Sequence, residues 1–306
     1  MSKSVSPKMD ASDWALLFLL GLIWGGSFLF ARVAVLEVPP LTLVFLRVAI
    51  AAIALNAYLV FKSSGAEHSW SLWTSFAGMG ILNNIIPFSL IFYGQQEIGA
   101  GLAAIVNAMT PIWTLLIAHF STSDERLAPN KLVGIVLGFV GVAVLIGTAA
   151  FGGLSGALIA QLAVLGATIS YGFASVFGKR FNNVPPIETA RGQLTASSLI
   201  MLPIAAWADK FWQIPVPSPA ATWSVIALAL ICTAWAYILF FRILARAGAV
   251  NIALVTLLVP LSAVLFGVVL LGEVLALRHF AGMVLILLGL LVIDGRLFSI
   301  FGKQQT

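Results

Sequence analysis

The sequence predicts an all-α membrane protein: ten transmembrane helices, built as two inverted five-helix repeats around a central cavity. Three observations predict it. Hydrophobic residues make up 61% of the 306 and charged residues only 9%, against roughly 25% charged in soluble domains. The apolar residues fall into ten runs of about 19 to 25 residues, long enough to cross a hydrocarbon core roughly 30 Å thick. Finally, features of the first half of the chain recur in the second half at the same spacing.

The runs lie near 13–35, 41–61, 72–95, 99–121 and 130–148, then 154–178, 187–208, 221–244, 250–272 and 279–298. Between them stand short connections rich in turn formers: Pro39-Pro40, Pro129, Gly152-Gly153, Pro185-Pro186 and the stretch from Pro215 to Pro219. Residues 1–12 and 299–306 are left as tails, 13–148 as the first repeat and 154–298 as the second. No stretch can hold a soluble domain, and the polar start leads into an apolar run too long for a signal-peptide core.

Orientation follows from the cations. Lys3, Lys8, Lys62, Arg126, Lys131, Lys179, Arg180, Arg191, Arg242, Arg246, Arg296 and Lys303 fall on the side of the N-terminus; Arg32, Lys210 and Arg278 fall on the other. This bias places both termini in the cytoplasm of a multi-pass inner-membrane protein. The same scatter argues against nucleic acid as a partner despite the net charge of +5. Trp14, Trp70, Trp73, Trp207, Trp212 and Trp223 sit at span ends as an interfacial belt. Arg47 and Arg191, a few residues inside their spans, are expected to snorkel outward. The single cysteine, Cys232, rules out an intrachain disulfide.

The internal repeat carries the functional reading. Val38-Pro39-Pro40 recurs as Val184-Pro185-Pro186. Gly99-Ala100 is followed twelve residues later by Pro111 and thirteen further on by Asp124; Gly248-Ala249 is followed at the same spacings by Pro260 and Glu273. Five spans is an odd number, so the second half enters the membrane from the opposite side and the halves are inverted copies. Interrupted apolar segments at matching positions of two such halves point to a transporter's midplane site. Pro111 and Pro260 are therefore the expected hinges.

Polar and aromatic residues near mid-span supply the candidate substrate site: Trp24, Asn83, Asn84, Asn107, Tyr171, Trp235 and Tyr237, with Thr110, Trp113, Thr233 and Thr256 beside them. An amide facing lipid is costly, so Asn83 and Asn84 should face protein or water. Trp24, Trp235 and Tyr237 lie roughly 15 Å from either edge by the helical rise, too deep for a belt. Asn107 and Thr256 precede their prolines by four residues and lose the intrahelical partner of their carbonyls, which are then available to a substrate ammonium. Removing the Trp235 side chain is expected to lower transport without lowering membrane abundance.

Acids are conspicuous by position: Glu97, Asp124, Glu273 and Asp294 all stand at span ends. No carboxylate near a midpoint offers a proton relay, so flow should follow the substrate gradient. No His, Cys and carboxylate cluster suggests a metal or cofactor, and no nucleophile with a base suggests an enzyme. Gly134, Gly138 and Gly141 on span 5, and Gly282 and Gly289 on span 10, form smooth faces suited to packing within the chain or to a homodimer.

With Gly21-Leu22-Ile23-Trp24-Gly25 added to the two five-span repeats and the proline-then-acid pattern, the chain resembles the EamA-type drug/metabolite transporter superfamily over about residues 13 to 298. In appearance it is closest to the amino-acid exporters, including the aromatic ones. The resemblance implies export of a small metabolite, with spans 1, 3, 4, 6, 8 and 9 around the cavity and 5 and 10 outside it. It brings no catalytic residue. The alternative substrates are another small solute on the same fold: a sugar, a nucleotide-sugar or a polyamine-like amine. A phosphorylated solute would want a cation near the midplane, where none is expected.

Overall fold

The computed structural model describes residues 9–61, 69–121, 129–147 and 155–294. Lys3, Lys8, Lys62, Asp124, Arg126, Gly152-Gly153, Arg296, Lys303 and the tail at 299–306 lie outside the described residues. Among those described, α1 (Ala11–Val35) and α2 (Pro40–Phe61) are single helices. The next rod is α3 (Trp70–Gly80), a π-helical segment at Ile81–Ile85 and α4 (Ile86–Glu97). Then come α5 (Ala100–Asn107), α6 (Thr110–Ser121) and α7 (Pro129–Ile146).

The second half repeats the plan. Helices α8 (Gly156–Phe177) and α9 (Pro186–Ala208) precede a rod made of α10 (Pro219–Ala229), a π-helical segment at Leu230–Trp235 and α11 (Ala236–Ile252). Helices α12 (Val255–Leu271) and α13 (Leu277–Asp294) close it. The two π segments occupy matching places in the two halves, a likeness that hydropathy and spacing do not reveal. Such widened turns free backbone groups and recur at functional sites. Here the Ser170 hydroxyl donates to the Leu82 carbonyl at 2.7 Å, and the Thr233 hydroxyl to the Leu228 carbonyl at 2.8 Å.

Seven of the described helical stretches are long and apolar enough to cross a membrane. Lys131–Ile146 and Val255–Leu271 are apolar but shorter. Helix α9 has the length, but Glu188 and Arg191, an ion pair at 2.9 Å, dilute its apolar character.

The prolines behave differently in the two halves. Pro111 is the second residue of α6, just past a break at Ala108-Met109, whereas Pro260 lies inside α12. The second-half break falls earlier, at Ala253-Leu254, with a further kink at Gly248 (φ 79°).

Glycines set the closest helix crossings. A Cβ on Gly134 would lie 2.5 Å from the Gly289 carbonyl oxygen, and one on Gly141 2.8 Å from that of Gly282. The smooth faces of spans 5 and 10 are thus consumed by α7 packing on α13 in the same chain.

Two ends of the bundle can be told apart by their contacts. At the near end, where α1 begins, Arg246 Nε pairs with Asp13 at 3.0 Å and its Nη2 accompanies Asp10 at 3.4 Å. Phe76 of α3 stacks there on Phe181 with centroids 5.5 Å apart. At the far end, where α1 finishes, Arg32 donates to the Gln95 and Gln96 carbonyls. The Thr42 amide and hydroxyl donate to Asp209 at 2.7 and 2.8 Å, and the Ser218 amide and hydroxyl to Glu37 at 2.6 Å each. The Ser218 hydroxyl and amide hold the Glu37 carboxyl below its ordinary pKa of 4.5. A depressed carboxylate contributes above its unfolded pKa and is lost as pH falls through the folded value. This clasp is therefore intact at neutral pH and should open only in acid below about 4.5.

Candidate functional site

A cavity of about 700 Å³ occupies the middle of the bundle, within the range of roughly 300 to 1,000 Å³ usual for small-molecule sites. Its wall takes residues from both halves, and α7 and α13 contribute none. This matches the expected division between inner and outer spans, with two additions: α2 enters through Arg47, and α9 through Pro186, Thr189 and Gln193. At the far end the wall is made of buried residues, among them Ala31, Phe92 and Gln95. At the near end it reaches exposed Asn182 and Pro186. The cavity therefore opens toward the near end and is closed at the far one.

Five of the seven sequence-selected residues meet on this wall: Trp24, Asn83, Asn107, Tyr171 and Tyr237. Both hinge prolines, Pro111 and Pro260, join them, as do Thr110, Thr233 and Thr256. Asn83 Nδ2 donates to Gln193 Oε1 at 3.1 Å and to the Tyr237 hydroxyl at 3.2 Å, tying the first π segment to α9 and α11. Trp24 leans on Phe240 with centroids 5.6 Å apart, and Tyr237 stacks on Phe241 at 6.1 Å. These contacts fix large ring faces around neutral polar atoms.

Asn84 and Trp235 stand elsewhere. Asn84, fully buried, donates to the Ser197 hydroxyl at 3.0 Å and joins α9 as an interhelical bond. Adjacent helical residues point about 100° apart, so Asn83 and Asn84 divide the two roles between them. Trp235 is 46% exposed on the outside of its π segment. With its side chain off the cavity wall, the expectation from depth reverses: Trp235→Ala should leave transport per folded molecule unchanged, measured as uptake normalised to membrane abundance. Trp113 is also absent from the wall and packs edge-on against Phe139 at 5.4 Å.

The proline-freed carbonyl of the first half is not open. The Thr110 hydroxyl donates to the Asn107 carbonyl at 2.9 Å, so this oxygen is satisfied from within. The side-chain oxygens of Asn107 and Gln95, by contrast, are buried without a hydrogen-bond partner.

The largest departure concerns Arg47. It does not snorkel: 7% exposed, it lies on the cavity wall, its guanidinium carbon 3.8 Å from the Phe88 ring centroid. A cation about 10 Å inside the span by helical rise needs either an acid or a polar space. Here the cavity is that space. Gln95 and Gln193 were also missed, although an uncharged glutamine within an apolar run carries the same cost signal as Asn83. Among the described residues no cluster of three or more His, Cys, Asp or Glu side chains could hold a metal ion.

Membrane-length helices in two like halves, with a shared cavity open at one end, define a small-solute membrane transporter. The EamA-like transporter family model matches residues 14–147 and again 158–294. The chain belongs to that family. A probable amino-acid metabolite efflux pump of Salmonella typhimurium is 29% identical, across 93% of this chain and 95% of its own length. The uncharacterized transporter YoaV of Bacillus subtilis is 26% identical, across 88% and 92%. The uncharacterized inner membrane transporter YedA of Escherichia coli K12 is 29% identical, across 85% and 83%. The fold is shared with a crystal structure that it matches with a TM-score of 0.65 at 22% identity, over 93% of this chain and 99% of that one.

Proposed function

We propose that the protein exports amino acids, aromatic and other neutral ones, from the cytoplasm by alternating access. The observation that carries this reading is the cavity, ringed by Trp24, Phe88, Tyr171, Tyr237 and Phe240 and lined by no carboxylate among the described residues. Ring faces suit an apolar or aromatic side chain and attract an ammonium group. The Salmonella relative's name points the same way. In this reading ten helices cross the inner membrane, α7, α9 and α12 completing the count, and the two halves are inverted copies. The Lys and Arg bias makes the near end cytoplasmic, so the cavity stands open to the cytoplasm.

Counterflow of labelled phenylalanine, a sugar and a polyamine into proteoliposomes tests the substrate class. Phenylalanine should accumulate; accumulation of the sugar or polyamine in its place would select the alternative class. Because none of the described acids lines the cavity, phenylalanine counterflow should proceed without a pH gradient. A strict requirement for an imposed gradient would show proton coupling.

A further inference from the structure

We propose that Arg47 is the carboxylate anchor of the transported solute, so that the solute must carry a carboxylate. The inference rests on the amino-acid reading of the same cavity and adds the group that makes such a molecule recognisable. Arg47 Nε donates to the Thr233 hydroxyl oxygen at 2.9 Å, and that hydroxyl donates in turn to the Leu228 carbonyl. Phe88 lies under the guanidinium on its other side. Held by a hydrogen bond and a ring face, the side chain has one orientation. Its two terminal nitrogens, which have no hydrogen-bond or ion-pair partner among the described residues, are left on the cavity wall.

A buried cation without a counter-ion is costly, and truncating it to an apolar group would commonly be tolerated or favourable. Among the described residues the acids stand elsewhere: none of Asp10, Asp13, Glu37, Glu97, Glu188, Asp209, Glu273 and Asp294 lines the cavity. The counter-charge must then arrive with the solute. A planar fork of N–H groups matches a carboxylate with two parallel bonds, which a lysine ammonium cannot reproduce. Ring faces on the same wall, those of Trp24 and Tyr171 among them, attract the ammonium at the other end of a zwitterion. An amine lacking the carboxylate would instead bring a second cation to Arg47.

Binding to the purified full-length protein decides this with three ligands: phenylalanine, 3-phenylpropionate, which keeps only the carboxylate, and phenethylamine, which keeps only the amine. The proposal expects phenylalanine and phenylpropionate to bind and phenethylamine to bind at least tenfold more weakly. Arg47→Lys should weaken phenylalanine binding about tenfold and Arg47→Gln about a hundredfold, at unchanged membrane abundance. Equal binding of phenylalanine and phenethylamine to the unaltered protein overturns the anchor while leaving amino-acid export standing. So does undiminished phenylalanine binding by Arg47→Gln. Failure of phenylalanine to bind the unaltered protein overturns both readings. Because the ligand series uses the native chain, it decides the matter even if a variant fails to fold.

Discussion

Gly25→Leu is expected to remove the folded protein from the membrane, and Gly25→Ala to destabilise it by roughly 1 to 3 kcal/mol, the usual range for overpacking. Gly21 and Gly25 are one helical turn apart on the face of α1 that meets α12. A Cβ on Gly25 would overlap the Ser262 hydroxyl and come within 2.9 Å of the Ala263 backbone nitrogen, while one on Gly21 would come within 2.7 Å of Leu258 Cβ. The Ser262 hydroxyl donates to the Gly21 carbonyl at 2.8 Å, a bond that only close backbones allow. Since a backbone atom cannot swing aside, the helices must separate and lose packing along their length. Gly26 is the internal control: a Cβ there would meet Phe266 at an ordinary 3.7 Å, so Gly26→Ala should be tolerated. Monodisperse yield on fluorescence-detected size exclusion measures all three. The same motif also turns Trp24 onto the cavity wall, so Trp24→Ala should lower uptake while leaving that yield intact.

The second large effect is expected at Glu273, which fastens the far end. Gly272 takes a left-handed turn (φ 65°) at the end of α12, and Glu273 then crosses to the start of α5. Its carboxylate accepts from the Ala100 amide at 2.5 Å and the Gly101 amide at 3.0 Å. Gly99 has no capping side chain of its own, so Glu273 is the cap, supplied by the other half of the chain. The space is kept by glycine: a Cβ on Gly99 would overlap the carboxyl group and one on Gly267 would lie 2.5 Å from Oε2. Hydrogen bonds to a charged group contribute about 1.5 to 3 kcal/mol each. Losing two of them in Glu273→Ala should shift the balance toward far-end-open states by roughly a hundredfold or more. Ala31→Cys, at the closed end of the cavity and in a Cys232→Ala background, reports the shift. An impermeant thiol reagent on the far side should modify it readily only when Glu273 is also replaced. Equal labelling rates with and without Glu273 would remove it from the seal.

The membrane class, the repeat and the depth of the candidate residues are legible in the sequence, because hydropathy and spacing encode them directly. Which way a side chain faces is encoded less directly. A π-helical turn inserts one residue and rotates the rest of the helix by about 100°, and both π segments fall where the site residues cluster. Depth alone groups Trp235 with Tyr237, yet residues two apart on a helix point about 200° apart, and the structure puts them on different surfaces. Arg47 was misread for another reason. A cation near a span end is ordinarily drawn to the headgroups, and only the assembled cavity offers it a polar alternative. The acid that comes after each proline was legible as a repeat, but its role was not: Glu273 caps a helix of the opposite half, a relation that exists only once the halves are packed. Its counterpart Asp124 lies outside the described residues.

Export by this route requires a cavity between the two halves that the solute enters from the cytoplasm. Thr189→Cys in a Cys232→Ala background places a thiol on the wall near the opening. Its labelling by an impermeant maleimide, applied in turn to right-side-out and inside-out vesicles, is the most direct test. The prediction is rapid labelling from the cytoplasmic face and slowing of that reaction by phenylalanine. Labelling from the periplasmic face alone, or a rate that phenylalanine leaves unchanged, would contradict it.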